Sequence, residues 1–298
     1  MLKHTKSWFF VFVLLTACLA AFPAWANASG GGVGVSLRLH GGYSYLQAED
    51  INAGTGGFFD FYSALAESMG YTTTGGFSPA HSGYDVGADL VLQLNRYIGI
   101  GIGAGYLQAS KSSLMTLSST DETVTMSGRP KLSAMPIRLG VFFTVPLNDR
   151  LNLTANAGAA YYAALKLKAD LRLESATDWQ EMSLSGSRSS FDNIGFQGGL
   201  GFEYMITQKL GFFVEAQGRY ARFKNFDSVT GVASDSGGGS DTTTGKLYLE
   251  TFTGTDGTLT TLTIEETPPT SNPPDDVYTE PKIDLSGFCF QAGIHIRF

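Results

Sequence analysis

The chain has 298 residues, 37 of them glycine, with 12% aromatic and 16% charged residues and a formal net charge of −7. That acidic balance argues against a nucleic-acid partner, and two cysteines exclude a disulfide framework. Neither a Gly-rich phosphate loop nor a Cys/His metal cluster is present, so no cofactor is expected.

At the amino end, Lys3 and Lys6 precede an apolar run from Trp8 to Phe22, then Pro23 and the small-residue site Ala24-Trp25-Ala26. This pattern reads as an export signal over residues 1–26, cleaved after Ala26. The alternative is Leu15-Thr16-Ala17-Cys18, which resembles a lipoprotein box and would make Cys18 a lipidated amino terminus. As a permanent membrane helix the run is short of the ~20 residues needed to span. Cleavage after Ala26 leaves one domain, residues 27–298, with 18 basic against 27 acidic residues, a balance of −9.

Period-two alternation then predicts eight strands. The first, Val33–Tyr45, sets Val35, Leu37, Leu39, Tyr43 and Tyr45 against Ser36, Arg38, His40 and Ser44. The second, about Ser82–Leu94, sets Tyr84, Val86, Leu90 and Leu92 against Asp85 and Asp89. In the third, Tyr97–Tyr106, isoleucines alternate with Gly99, Gly101, Gly103 and Gly105. The fourth, about Leu132–Val145, opposes Ile137, Leu139, Val141 and Phe143 to Arg138, Gly140 and Thr144. The fifth begins at Leu151 and alternates as far as Leu173, long enough to rise above a membrane into a protruding sheet. The sixth, Ile194–Ile206, carries Phe196, Leu200, Phe202 and Tyr204 opposite Gln197 and Glu203. The seventh, Leu210–Tyr220, carries Phe212, Val214 and Ala216 opposite Glu215, Gln217 and Arg219. In the last, Phe288, Phe290, Ala292, Ile294, Ile296 and Phe298 share one face, and Gln291, Gly293, His295 and Arg297 the other.

Tight links near Asn95-Arg96, Asn148–Arg150 and Thr207–Lys209 alternate with long ones at 46–81, 107–131, 174–193 and 221–284. Short turns on one rim and long connections on the other are the layout of an antiparallel transmembrane barrel, with short turns and both termini periplasmic. Each strand covers the ~9–11 residues that cross a bilayer obliquely. Aromatic side chains form two girdles: Tyr43, Tyr45, Tyr84, Tyr106, Tyr161 and Tyr220 at one end, Phe143, Phe202, Tyr204, Phe212 and Phe298 at the other. A soluble β-sandwich or lipocalin-like barrel would explain neither the girdles, nor the signal, nor the terminal Phe298.

The inward rows then carry four acids, Asp85, Asp89, Glu203 and Glu215, against four arginines, Arg38, Arg138, Arg219 and Arg297. On the lipid face near the midplane an Arg would cost ~2–4 kcal/mol. Facing inward, equal numbers predict cross-lumen ion pairs that plug the barrel, with the glycine row making room for long side chains from opposite strands. A selective pore would show an excess of one sign. His81 with Ser82, Asp85 and Asp89 is the one constellation suited to a rim hydrolase, but no second element completes it.

In the first long link, Phe58, Tyr62, Leu65 and Met69 line one helical face, predicting a short amphipathic helix on the rim or a packing cluster. The last link holds eleven acidic residues between Asp227 and Asp284 against Lys246 and Lys282. It also carries a Thr-rich hairpin, Lys246–Glu265, too polar for a lipid face and so outside the barrel count.

The ending, with Phe290, Ile294, Ile296 and Phe298, resembles the β-signal of bacterial outer-membrane proteins, which implies handling by the barrel-assembly machinery. The whole pattern resembles the OmpA/OmpX-like superfamily of eight-stranded barrels, without a periplasmic peptidoglycan-binding domain. That resemblance implies an integral outer-membrane protein, monomeric, surrounded by lipid and lipopolysaccharide. Its members include envelope structural proteins, adhesins, small channels such as OmpW-like proteins and, rarely, enzymes. The expectation is a non-enzymatic surface barrel that meets an extracellular ligand through its long connections; a small diffusion channel and a rim hydrolase using His81 are the alternatives.

Overall fold

The computed structural model describes residues 34–224, 226, 228–254, 257–272 and 276–298. The signal segment 1–26 and Cys18 lie outside the described residues, as do Val33, Asp227, Asp256, Pro273, Pro274 and Asp275. The chain runs through β1 (Gly34–Leu46), α1 (Glu49–Ser68), β2 (Thr72–Gly76), β3 (Ser82–Gln93), β4 (Ile98–Ser110) and β5 (Ser113–Ser118). Next come β6 (Thr123–Ala134), β7 (Pro136–Pro146), β8 (Leu151–Tyr162), β9 (Leu165–Glu174), β10 (Trp179–Arg188), β11 (Ile194–Met205) and β12 (Leu210–Tyr220). It ends with β13 (Arg222–Phe223), β14 (Ser228–Asp235), β15 (Ser240–Gly254), β16 (Gly257–Glu265), β17 (Asp276–Thr279), β18 (Ile283–Asp284) and β19 (Gly287–Arg297).

Eight of these strands close an antiparallel barrel in the order β1, β3, β4, β7, β8, β11, β12, β19. Closure is made by β19 on β1, from Ser36 opposite Arg297 to Leu46 opposite Gly287. The three tight turns share one device. Asn95, Asn148 and Thr207 each accept two backbone N–H bonds, from the residues two and three positions on, at 2.8–3.2 Å. Such side chains fix a turn without help from packing. Both ends of the described chain lie at this turn rim.

Beyond the opposite rim the long connections are a built crown rather than loops. At Leu107 the edge of β4 passes from β7 to β6, and the wall continues as β5, β6, β9, β10, β14 and β15. The Thr-rich hairpin forms as β15 and β16, with Lys246 opposite Glu265, and takes no part in barrel closure. Helix α1 packs against β16, β2, β18 and β6.

The helix begins nine residues before the expected one, and its buried face is rotated. Ile51, Thr55, Phe59 and Ala66 are buried, Phe58 and Tyr62 half-buried, and Leu65 and Met69 exposed. The second and third turns, with Gly54, Gly56 and Gly57, are poor helix formers, by about 1 kcal/mol per Gly relative to Ala. Contact explains it: a Cβ at Gly57 would overlap the Thr260 carbonyl of β16, and one at Gly54 would reach the Leu249 side chain at 3.1 Å. Gly70, at φ +84°, ends the helix, with Tyr71 N–H donating to Ala66 O at 2.9 Å.

The fourth and fifth predicted strands each prove to be two. Leu132–Ala134 belongs to β6 in the crown, and the barrel strand starts at Pro136. The alternation from Leu151 to Leu173 conceals a reversal. In β8 the odd residues face outward and Tyr162 faces in; in β9 Leu165, Leu167 and Leu171 face in and Lys166 and Lys168 out. Register gives the cause. Pairs of β7 with β8 sum to 298 (Pro136 with Tyr162), whereas pairs of β6 with β9 sum to 299 (Leu132 with Leu167), so one residue is extra at Ala163-Ala164. A single-residue bulge turns every later side chain to the other face.

Candidate functional site

The lumen gathers every charged residue expected there. Arg38, Asp85, Asp89, Arg138, Glu203, Glu215 and Arg219 are buried, none more than 9% exposed. Near the turn rim, Glu203 accepts from Arg297 at 3.0 Å and from Asn152 at 2.9 Å, and also pairs with His295. At mid-height Arg38 meets Glu215 at 3.0 Å, and Arg138 meets Asp89 at 3.2 Å with His40 beside both. Towards the crown Arg219 binds Asp85 at 3.1 Å, the Ser44 hydroxyl at 2.9 Å and the Leu285 carbonyl at 2.9 Å.

None of these arginine–carboxylate pairs joins neighbouring strands. Arg38 lies directly opposite Asp89 in the β1–β3 register, yet each reaches past it, Arg38 to β12 and Asp89 to β7. Each such pair therefore ties strands that share no backbone ladder. The glycine row helps, though mainly by admitting near neighbours. A Cβ at Gly103 would overlap the Asp89 carboxylate, and one at Gly101 would sit 2.5 Å from the Phe142 ring; Arg138 lies 2.5 Å from the Cβ position of Gly87 in β3.

Two aromatic residues join the plug unannounced by the polar pattern. The Arg38 guanidinium lies 4.1 Å from the Phe213 ring centroid and 5.3 Å from that of Phe142. Doublets at Phe142-Phe143 and Phe212-Phe213 were the available signal, because an alternating strand must turn one member of each inward. The space left over is small. Cavities of about 20 Å³ around Arg38, Arg138 and Glu215, and about 10 Å³ around Ser36 and His295, remain. A water needs roughly 10–15 Å³, so each of these has room for about one water.

Above the ionic layer the lumen face turns apolar. Leu46, Leu107, Leu132, Ala134, Tyr162, Leu165, Ala221, Phe223 and Leu285 form one buried cluster across the crown-side mouth. A second cluster, with Phe59, Met115, Leu117, Met126 and Leu171, continues it upward beneath α1. Outside, the belt is apolar: Ile102, Leu139, Leu200, Phe196, Phe290 and Ile294 are exposed, between tyrosines at the crown end and Phe143, Tyr204 and Phe298 at the turn end.

The outer membrane protein β-barrel domain model matches residues 10–248. The chain belongs to that family. The outer membrane protein β-barrel family fixes the compartment, an outer membrane, and agrees with the belt. Among solved structures the chain is similar to a major outer membrane protein from Thermus thermophilus, at TM-score 0.37 and 11% identity, over 90% of this chain and 100% of that one. It also aligns with the Ralstonia pickettii toluene transporter TbuX at TM-score 0.19 and 9% identity, over 91% of this chain and 90% of that one. Among curated protein sequences none matches this chain.

His81, the rim candidate, is not placed beside Asp85. Its Nδ1 lies 2.8 Å from the Leu46 carbonyl oxygen and its ring stacks on Tyr45 at 5.0 Å, while Asp85 is held by Arg219. The Ser82 hydroxyl pairs with that of Tyr43 at 2.9 Å. These residues do not assemble into a nucleophile and base. Phe290, Ile294, Ile296 and Phe298 lie on the outward face of the closing strand β19.

Proposed function

We propose that this outer-membrane barrel is a closed, monomeric platform, which presents its crown outside the cell to a host, matrix or neighbouring-cell component. The observation that carries the reading is the double layering of the lumen: three tiers of ion pairs in the barrel, and a buried apolar cluster from Leu46 to Leu285 above them. A barrel sealed twice has no use for its interior, so action moves to the crown. There α1 exposes Phe61 and Leu65, with Met69 at its C-cap, spaced four residues apart on one helical face, and β5 exposes Leu114. The acidic segment is partly structural, since Arg222 binds Asp284 at 2.6 Å and Tyr278 binds Glu250 at 2.7 Å. In this reading the turn rim and both termini face the periplasm, and β19 carries the residues that the assembly machinery engages.

Cells displaying the protein are expected to be retained on matrix or on neighbouring cells more strongly than cells lacking it. Exchange of Phe61 and Leu65 for Ser should lower that retention without changing barrel assembly. Equal retention with and without the protein overturns the contact reading.

A further inference from the structure

We infer that the face formed by β6 and β9, just beyond the lipid belt, is a binding site for the phosphate groups of an outer-leaflet glycolipid such as lipid A. The inference rests on the outward crown proposed above. Lys131 lies directly opposite Lys168 in the β6–β9 register, with Lys166 and Arg129 in the rows on either side. Like charges directly opposed across two strands repel at a Cβ separation of ~4.5–5.5 Å. With Asp170, which faces Arg129, as the nearest carboxylate in register, four cations against one anion give a formal +3 in a chain that is acidic overall.

Among the described residues no ion pair reaches the three lysines. The ion pairs of neighbouring strands lie elsewhere, Arg172 with Glu174 at 3.1 Å and Glu181 at 3.4 Å, and Arg188 with Asp192 at 2.8 Å. Among the described residues none reaches Lys131, Lys166 or Lys168, and Arg129 bonds only the Ser110 hydroxyl, at 3.3 Å. The bulge at Ala163-Ala164 is what turns Lys166 and Lys168 outward while Leu165 and Leu167 turn in.

Depth identifies the partner. The hydroxyls of Tyr84 and Tyr106, at the top of the belt, both donate to Gln108 Oε1, at 3.4 and 3.1 Å. Gln108 is opposite Ser133, and Ser133 is opposite Lys166, so the first lysine row lies two strands along the ladder row that holds the girdle's hydrogen-bond partner. Lys131 and Lys168 lie two residues further from the belt along their strands, in the ladder row of Ser110. At the ~40° tilt of barrel strands set ~4.8 Å apart, two strand steps shift height by roughly 6 Å, about one headgroup layer, so the lysines stand near the tyrosine belt's end, where lipid phosphates lie. A phosphate between two opposed ammonium groups turns their repulsion into two charge-assisted contacts.

The test uses the detergent-solubilised full chain, native mass spectrometry, and three probes: bisphosphorylated lipid A, the same lipid dephosphorylated, and phosphatidylglycerol. Expected are saturable binding of the bisphosphorylated form, little of the dephosphorylated one, and a loss of about tenfold in affinity in Lys131→Gln/Lys168→Gln. Both lysines face outward, and heat-modifiable migration verifies that the variant barrel is folded. Undiminished binding by the folded variant, or equal binding of dephosphorylated lipid A, overturns the site. Ser183→Cys, on the same crown face, is labelled in intact cells with an impermeant maleimide, Cys289 being buried. Labelling without lipid A preference sinks the site and leaves the outward crown standing. A phosphatidylglycerol preference with no labelling sinks both.

Discussion

Barrel and crown are one continuous sheet with opposite addresses. In the barrel the outward face of β4 is Ile98, Ile100 and Ile102, and the inward face is glycine beside ions; a few residues further on, Leu107 and Ala109 are buried inward and Gln108 and Ser110 face out. Strand β4 makes the exchange with no change of alternation, by exchanging residue types between faces. On β8 and β9 the same exchange is made by a bulge that exchanges the faces. Solvent dictates the result in both cases. Hydrocarbon outside demands apolar outward rows and forces ionisable groups inward, whereas water outside restores an ordinary core worth roughly 1.5–3 kcal/mol for each buried Leu.

The two regions should therefore break differently. The largest effect is expected from Glu203→Ala, which strips Arg297, His295 and Asn152 of a shared buried carboxylate. Orphaning such groups costs about 3–5 kcal/mol, to be read as a lowered urea midpoint of the folded barrel in detergent. A smaller loss, about 1–3 kcal/mol, is expected from Gly57→Ala, because its methyl meets the Thr260 carbonyl. That damage should stay in the crown, with protease cutting near 49–76 while the barrel band persists. If Gly57→Ala instead lowers barrel stability as much as Glu203→Ala does, the two regions are not separable.

Within the barrel, Arg38 and Glu215 form a buried pair. A double-mutant cycle between them should show a coupling of about 0.5–3 kcal/mol. The same cycle on Arg172 and Glu174, half exposed on the crown, should give about 0.2–1 kcal/mol. Phe298→Ser is expected to lower the yield of assembled barrel in cells while in vitro refolding stays near normal, as an assembly signal requires. The smallest effect concerns Tyr278, whose hydrogen bond to Glu250 raises its pKa from 10.0 to about 12. Its contribution to the crown is thus complete below pH 10 and lost as pH rises through about 12, and Tyr278→Phe should remove that alkaline step from crown unfolding.

Much of the barrel was legible because lipid enforces period-two alternation over every spanning stretch. The charged lumen residues were legible for the same reason: an Arg in such a strand has one tolerable side. Which acid meets which arginine was not, since partners skip strands and Arg38 ignores the Asp89 opposite it. The single extra residue at Ala163-Ala164 leaves the apolar rhythm of the sequence intact while reversing its meaning. Helix α1 eluded its own composition, because Gly54–Gly57 is helical through contact with β15 and β16 and not through local preference.

The proposed platform has its interior shut twice, by ions within the membrane and by an apolar layer above it. Single-channel recording of the purified full-length barrel in planar bilayers is the decisive measurement. A shut interior predicts an electrically silent membrane after verified insertion, at neutral pH and high salt. Reproducible, steady unitary conductance from the wild-type protein would contradict it.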